Sequence, residues 1–218
     1  MPLQIKLVRH GESEANTGRI SARDVGDHAI PLSDRGHGQA LAAGRTIGQE
    51  FVRPALVYGS PYRRTRETRD GILEGCGLGG AEVRVYEDPR LREVEHGYEA
   101  VEPQEELRKT HGWFYYRFKG GESPADCYDR TSSFLESMMR QVERRAADRV
   151  LIVTHGLTIR CFVMRFLHLS IEQFDEMANP DNCAIITLAE PSALEECLFT
   201  SGRWGVSGLQ RRATPRQG

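Results

Sequence analysis

Two segments of the chain repeat one pattern, Leu7-Val8-Arg9-His10-Gly11 and Ile152-Val153-Thr154-His155-Gly156. Each sets a histidine directly behind an apolar run, followed by a glycine that permits a sharp backbone turn. An imidazole so placed can serve as nucleophile, proton carrier or donor to an anion. A lone histidine at a strand end is more often structural, but the repetition points to a shared site. A third segment, Ser60-Pro61-Tyr62-Arg63-Arg64-Thr65-Arg66-Glu67-Thr68, also follows an apolar run. Ser60-Pro61 reads as N-cap and first helical residue, and a helix N-terminus offers free N–H groups and a positive dipole end to an anion. An arginine in its first turn adds a planar fork that matches phosphate oxygens. Arg66 and Arg69 read as a solvated helix face, and Arg9 and Arg64 as the candidate phosphate ligands. A fourth segment, Leu91-Arg92-Glu93-Val94-Glu95-His96-Gly97-Tyr98-Glu99, is acidic and on its own reads as an exposed turn.

These groups need a frame that carries them to one edge. Gln4–Val8, Leu56–Tyr58, Val83–Tyr86, Val150–Val153 and Cys183–Leu188 read as strands. Ser33 caps a helix to about Glu50 with Ala40, Gly44, Ile47 and Phe51 on one face. Ser123-Pro124 with Asp126 opens a long helix to about Arg145, an apolar helix follows His155-Gly156 and runs through Leu167, and Ser170 with Gln173 forms a capping box. Strands spaced by helices predict crossover connections and a mostly parallel sheet covered on both faces, a three-layer α/β/α domain. Reactive groups in such folds gather where strands end at their carboxyl side. One domain is expected over residues 1–205, with 90–125 as an excursion from the sheet and 206–218 as a flexible tail.

The 218 residues carry 29 basic and 31 acidic side chains, a net charge of −2, which disfavours a dedicated nucleic-acid binder. Five cysteines without a C-x-x-C pair fit a reducing compartment and disfavour a disulfide framework. The N-terminus lacks the apolar stretch of a signal peptide, and the most apolar window, Val150–Leu169, is interrupted by His155, Arg160, Arg165 and His168. A cytoplasmic protein with no membrane association is expected. Oligomeric state is not legible in the sequence.

Arg9-His10-Gly11-Glu12-Ser13-Glu14-Ala15-Asn16 resembles the R-H-G-x-S-x-x-N signature of the histidine phosphatase superfamily, the phosphoglycerate mutase-like family. Leu32-Ser33-Asp34-Arg35-Gly36-His37-Gly38-Gln39-Ala40, the S-P-x-x-R of Ser60–Arg64, the Leu91–Gly97 loop and Val153-Thr154-His155-Gly156 resemble its further elements, in order, over about residues 4–188. Asp27–Leu32, Trp113–Phe118 and Gly121–Asp126 resemble the plant and fungal mutase-like members. The resemblance implies a phosphatase for small phosphate monoesters that releases inorganic phosphate and requires no metal or other cofactor. His10 would be the nucleophile and Glu93 the proton donor. Arg9, Arg64 and His155 would hold the phosphoryl oxygens, assisted by Asn16 and the backbone near Gly156.

Two other readings share this fold: a phosphoglycerate mutase, and a weakly active phosphate-binding or interaction module. Mutases of the family carry W-N in the first signature and G-L-N-K after the acidic loop, where this chain has Ala15-Asn16 and Gly97-Tyr98-Glu99-Ala100. A cysteine phosphatase is a separate alternative, because Cys197 to Arg203 fits C-x₅-R, although no helix signal follows it. The Trp113–Phe118 stretch either roofs the pocket or packs on the core, and the role of His96 stays open.

Overall fold

The computed structural model describes residues 2–97 and 104–213. Strands β1 (Gln4–Arg9), β2 (Leu56–Gly59), β3 (Val85–Glu87) and β4 (Arg149–Thr154) pair in parallel in the order β3-β2-β4-β1. Beyond β1 the sheet continues antiparallel through β5 (Ile185–Ala189), β7 (Trp204–Ser207) and β6 (Phe199–Ser201). The α-helices are α1 (Ala22–Val25), α2 (Asp34–Ile47), α3 (Gln49–Val52), α4 (Arg63–Gly75), α5 (Glu105–His111), α6 (Pro124–Arg145), α7 (Gly156–Leu167) and α8 (Ile171–Glu176), and short 3₁₀ turns lie at Asp27–Ala29, Pro89–Leu91 and Pro191–Ala193.

Strand β4 shows why the apolar runs lack alternation. Val150 and Ile152 pack into one core with α6 and α7, while Leu151 and Val153 pack into the other with α2 and α4. A strand covered on both faces buries every side chain, so it reads as an unbroken hydrophobic segment. The expected three-layer α/β/α arrangement is the one observed.

Several boundaries differ from the sequence expectations for local reasons. Helix α2 stops at Ile47 because Gly48 takes a φ of 79°, and α3 forms a separate turn after it. Helix α4 begins at Arg63, with Tyr62 rather than Ser60 at the cap, because the Ser60 hydroxyl is drawn across the sheet edge to His155. Strand β5 begins only after Cys183, which adopts a left-handed φ of 57°. The flexible tail expected from 206 is corrected in its first part: β7 runs to Ser207, Val206 is buried, and Met177 bridges Arg211. Glycines and serines hid that strand from composition. Residues 214–218 of the expected tail lie outside the described residues, as does the part of the 90–125 excursion at 98–103.

Helices α2 and α4 cross with their backbones in contact. A Cβ at Gly44 would stand 2.2 Å from the Ile72 carbonyl oxygen, and one at Gly75 would stand 2.2 Å from that of Leu41. Only hydrogen fits on either side, and this close crossing sets where the N-terminus of α4 points. Gly44→Ala is expected to lower unfolding stability by about 1–3 kcal/mol, as overpacking does. Urea denaturation measures the loss, and unchanged stability would contradict the close crossing.

Candidate active site

In the β1–β4 pairing Arg9 stands beside Thr154, and the His10 N–H continues it to the Thr154 carbonyl at 2.9 Å. The residues just past both strands are therefore neighbours. The His10 and His155 rings lie 5.2 Å apart, edge to face, and both are buried. His10 Nδ1 is 2.8 Å from the Gly11 carbonyl oxygen, which can only accept, so Nδ1 carries the proton and Nε2 keeps its lone pair. Gly11 is required by close approach, since a Cβ there would stand 2.6 Å from the Gly36 carbonyl oxygen. Its N–H donates to Thr68 Oγ1, whose hydroxyl donates to the Arg64 carbonyl, tying the histidine turn to α4.

Helix α4 delivers Arg64, buried to 4% exposure. Its guanidinium fork donates to both carboxylate oxygens of Asp27 at 3.0 and 3.1 Å, and to the Asp27 backbone oxygen at 2.6 Å. Arg9 donates through Nη1 to the Pro180 carbonyl. Asn16 Oδ1 accepts from the backbone and hydroxyl of Ser13, and the Asn182 amide donates to the His10 carbonyl. Gly156 opens α7, and a Cβ there would collide with the side chain of Asn179.

Glu93 stands across from the histidines, with Oε2 3.6 Å from His155 Nδ1 and Oε1 accepting from the Val94 N–H. Its loop is anchored rather than free. Thr154 and Thr158 donate to the Leu91 and Arg92 carbonyls at 2.6 and 2.9 Å. Glu122 accepts from Arg92 and Arg130, and its N–H donates to the Glu95 carbonyl. Gly97 runs at a φ of 72° against the Lys119 carbonyl, where no Cβ fits.

Arg9, His10, Asn16, Arg64 and Glu93 line one cavity of about 860 Å³, with Asp27 and His96 on its wall and His155 behind. Of the expected site residues, Arg9, His10, Asn16, Arg64 and Glu93 lie on the cavity wall, His155 lies against His10 and Glu93, and Gly156 is not on the wall. Burial drives the His10 pKa down to about 3, with Arg64 and Arg9 adding to the effect, and drives His155 well down too. Burial raises the Glu93 pKa against the opposing Val94 N–H and Arg64. These shifts favour neutral imidazoles near pH 7, beside the guanidinium charges of Arg64 and Arg9.

The ligand atoms of His10, Glu93 and His155 lie within 4.8 Å of one another, so they form a donor set that could hold a metal ion. Arg9 and Arg64 act on the same space and favour an anion over a cation. Asp27, Ser60, Thr68 and Asn182 were not legible as site residues. Asp27 had a signal in the Asp27–Leu32 segment that resembles the plant and fungal members, though not as a partner of Arg64, and Asn182 had one in its place just before β5. Trp113 stacks on buried Phe174 and Phe114 meets it edge-on, so these two residues pack on the core, whereas Tyr115 is exposed and Phe118 meets His96 of the cavity wall edge-on. Cys197 precedes β6 and Arg203 sits in the β6–β7 turn, so the segment between them is a strand and a hairpin turn rather than a phosphate-cradling loop into a helix.

The sequence profile of the histidine phosphatase superfamily (branch 1) matches residues 5–195. The chain belongs to the histidine phosphatase superfamily. It is 37% identical to the phosphoglycerate mutase-like protein AT74H of Arabidopsis thaliana, over 84% of this chain and 72% of that protein. It is 28% identical to the broad-range acid phosphatase DET1 of Saccharomyces cerevisiae, over 86% and 85%. Among solved structures, a mycobacterial glucosyl-3-phosphoglycerate phosphatase in complex with VO3 shares the fold at a TM-score of 0.70. Their sequences are 23% identical, and the match covers 94% of this chain and 97% of that one.

The electrostatics make one solution measurement diagnostic. A histidine with an ordinary pKa gains its proton around pH 6.5, whereas His10 should stay neutral until about pH 4 or below. An NMR titration of the His10 imidazole should show no midpoint between pH 7 and about 4.5. A midpoint near 6 would contradict the buried, cation-flanked site.

Proposed function

We propose that this chain is a metal-independent phosphomonoesterase that works through a phosphohistidine on His10, with Glu93 as proton donor. The observation that carries the reading is the convergence at one cavity of a neutral imidazole with an available Nε2 lone pair, two guanidinium groups and a carboxyl whose pKa is raised by burial. Phosphate monoesters react slowly because a dianion repels an incoming nucleophile, and fixed positive charge around the phosphoryl oxygens answers that problem. Arg9, Arg64 and His155 supply it, with the amide hydrogens of Asn16 and the backbone at Gly156 assisting.

The reaction runs in two displacements. His10 Nε2 attacks phosphorus while the ester P–O bond breaks, and the Glu93 carboxyl gives its proton to the leaving alkoxide. The ring now bears positive charge, which the Nδ1–H bond to the Gly11 carbonyl stabilises. Water then attacks phosphorus, Glu93 takes its proton, the P–N bond breaks, and inorganic phosphate leaves a neutral His10. Splitting one hard step into two is the gain from covalent catalysis.

The acid phosphatase activity named for the yeast relative and the phosphatase named for the mycobacterial structure support hydrolysis over mutase chemistry. The name of the Arabidopsis relative keeps the mutase reading in view. The departures at Ala15 and at Gly97 to Ala100 stand where family mutases carry their own motifs. Assaying 3-phosphoglycerate isomerisation beside phosphate release separates the two.

A proton donor matters most when the leaving group is a poor one. In buffer containing EDTA, Glu93→Gln should slow hydrolysis of alkyl phosphates by about 10²–10⁴-fold while aryl esters with good leaving groups lose little. Equal slowing of both classes would remove Glu93 from the acid role. Wild-type activity lost in EDTA and restored by a divalent cation would contradict the metal-independent reading.

A further inference from the structure

Ser60 stands at the end of β2, and its N–H continues the β2–β4 pairing to the Val153 carbonyl at 3.0 Å. That pairing sets its hydroxyl beside the residue that follows β4, and Ser60 Oγ lies 2.9 Å from His155 Nε2. Both residues are fully buried. A hydroxyl has one proton to give and two lone pairs to receive with. One lone pair already accepts from the Tyr62 N–H at 3.3 Å. Among the described residues the hydroxyl proton has one acceptor within reach, and that is His155 Nε2. Were Nε2 protonated instead, the buried Ser60 hydroxyl would donate to nothing, a costly arrangement.

We infer that Ser60 is a positioning residue that fixes the tautomer of His155, holding its proton on Nδ1 so that an N–H rather than a lone pair faces the phosphoryl group. His155 Nδ1 is the nitrogen that lies 3.6 Å from Glu93 Oε2, and it makes no hydrogen bond among the described residues. Its N–H is then available to a phosphoryl oxygen. The opposite tautomer would set a lone pair against an anion. The two histidines thus carry their proton on the same ring atom and present opposite ends to the site. The Gly11 carbonyl makes His10 offer a lone pair, and the Ser60 hydroxyl makes His155 offer a proton. Burial, which pulls the His155 pKa down, keeps this ring neutral, so the choice of tautomer matters.

The catalytic consequence rests on the phosphatase reading, but the tautomer does not. With ¹⁵N-histidine-labelled protein at neutral pH, long-range ¹H–¹⁵N correlation should show His155 protonated at Nδ1 and bare at Nε2. Ser60→Ala should move part of the population to the Nε2–H form. It should lower kcat by about 10–10²-fold, less than the about 10²–10³-fold for complete loss of one donor to a developing oxyanion because only part of the population shifts, and weaken inorganic phosphate binding. A wild-type spectrum with Nε2 protonated overturns the inference, and that spectrum decides the matter even if the variant does not fold. An unchanged tautomer in folded Ser60→Ala overturns it too, whatever the activity. A protein that hydrolyses no phosphate ester but shows the Nδ1–H tautomer would sink the phosphatase reading and leave the Ser60 assignment standing.

Discussion

The parallel pairing of β1 with β4 is the constraint on which the remaining geometry rests. Arg9 beside Thr154, with the His10 N–H reaching the Thr154 carbonyl, forces the next residue of each strand to one edge of the sheet. The two imidazoles then stand 5.2 Å apart. Neither could be moved by a residue without turning a buried side chain into the opposite core, because successive strand residues face opposite layers. The β2–β4 pairing repeats the device. It brings Ser60 to the same edge, and α4 leaves from there with Arg64 in its first turn.

Desolvation then gives these groups their chemistry. Burial disfavours charge on His10 and His155 and disfavours the carboxylate form of Glu93. The positive charge that remains belongs to Arg9 and Arg64, of which Arg64 is held by the Asp27 carboxylate. Asp27 also acts against ionisation of Glu93. One aspartate thus orients the guanidinium and favours a protonated acid. Across the site, the Glu93 loop is clasped by Thr154, Thr158 and the Glu122–Arg130 pair, so the acid is held against the same β4–α7 junction that presents His155.

The sequence carried the strand-His-Gly repeat, the capping serines at 33, 123 and 170, and the apolar runs, because each is a local signal with a local cause. The capping boxes at Ser123 and Ser170 form as their spacing implies. Ser60 is the instructive departure. Ser-Pro reads as a helix cap, yet a partner 95 positions away takes the hydroxyl, and no local pattern reveals that. Asp27 was hidden for the same reason, since its partner Arg64 is 37 positions distant. Strand β7 escaped because Gly205 and Ser207 flank Val206, whose burial comes from pairing with β5 and β6 rather than from its own run.

The central claim is that phosphorus bonds to His10, and trapping the intermediate tests it most directly. Rapid mixing with a ³²P-labelled monoester, followed by alkaline quench and peptide mapping, should place an acid-labile phosphoryl group on Nε2 of His10, up to one per chain. The same procedure on His10→Ala should yield none. Turnover without any trapped label, or label on another residue that survives in His10→Ala, would contradict the account.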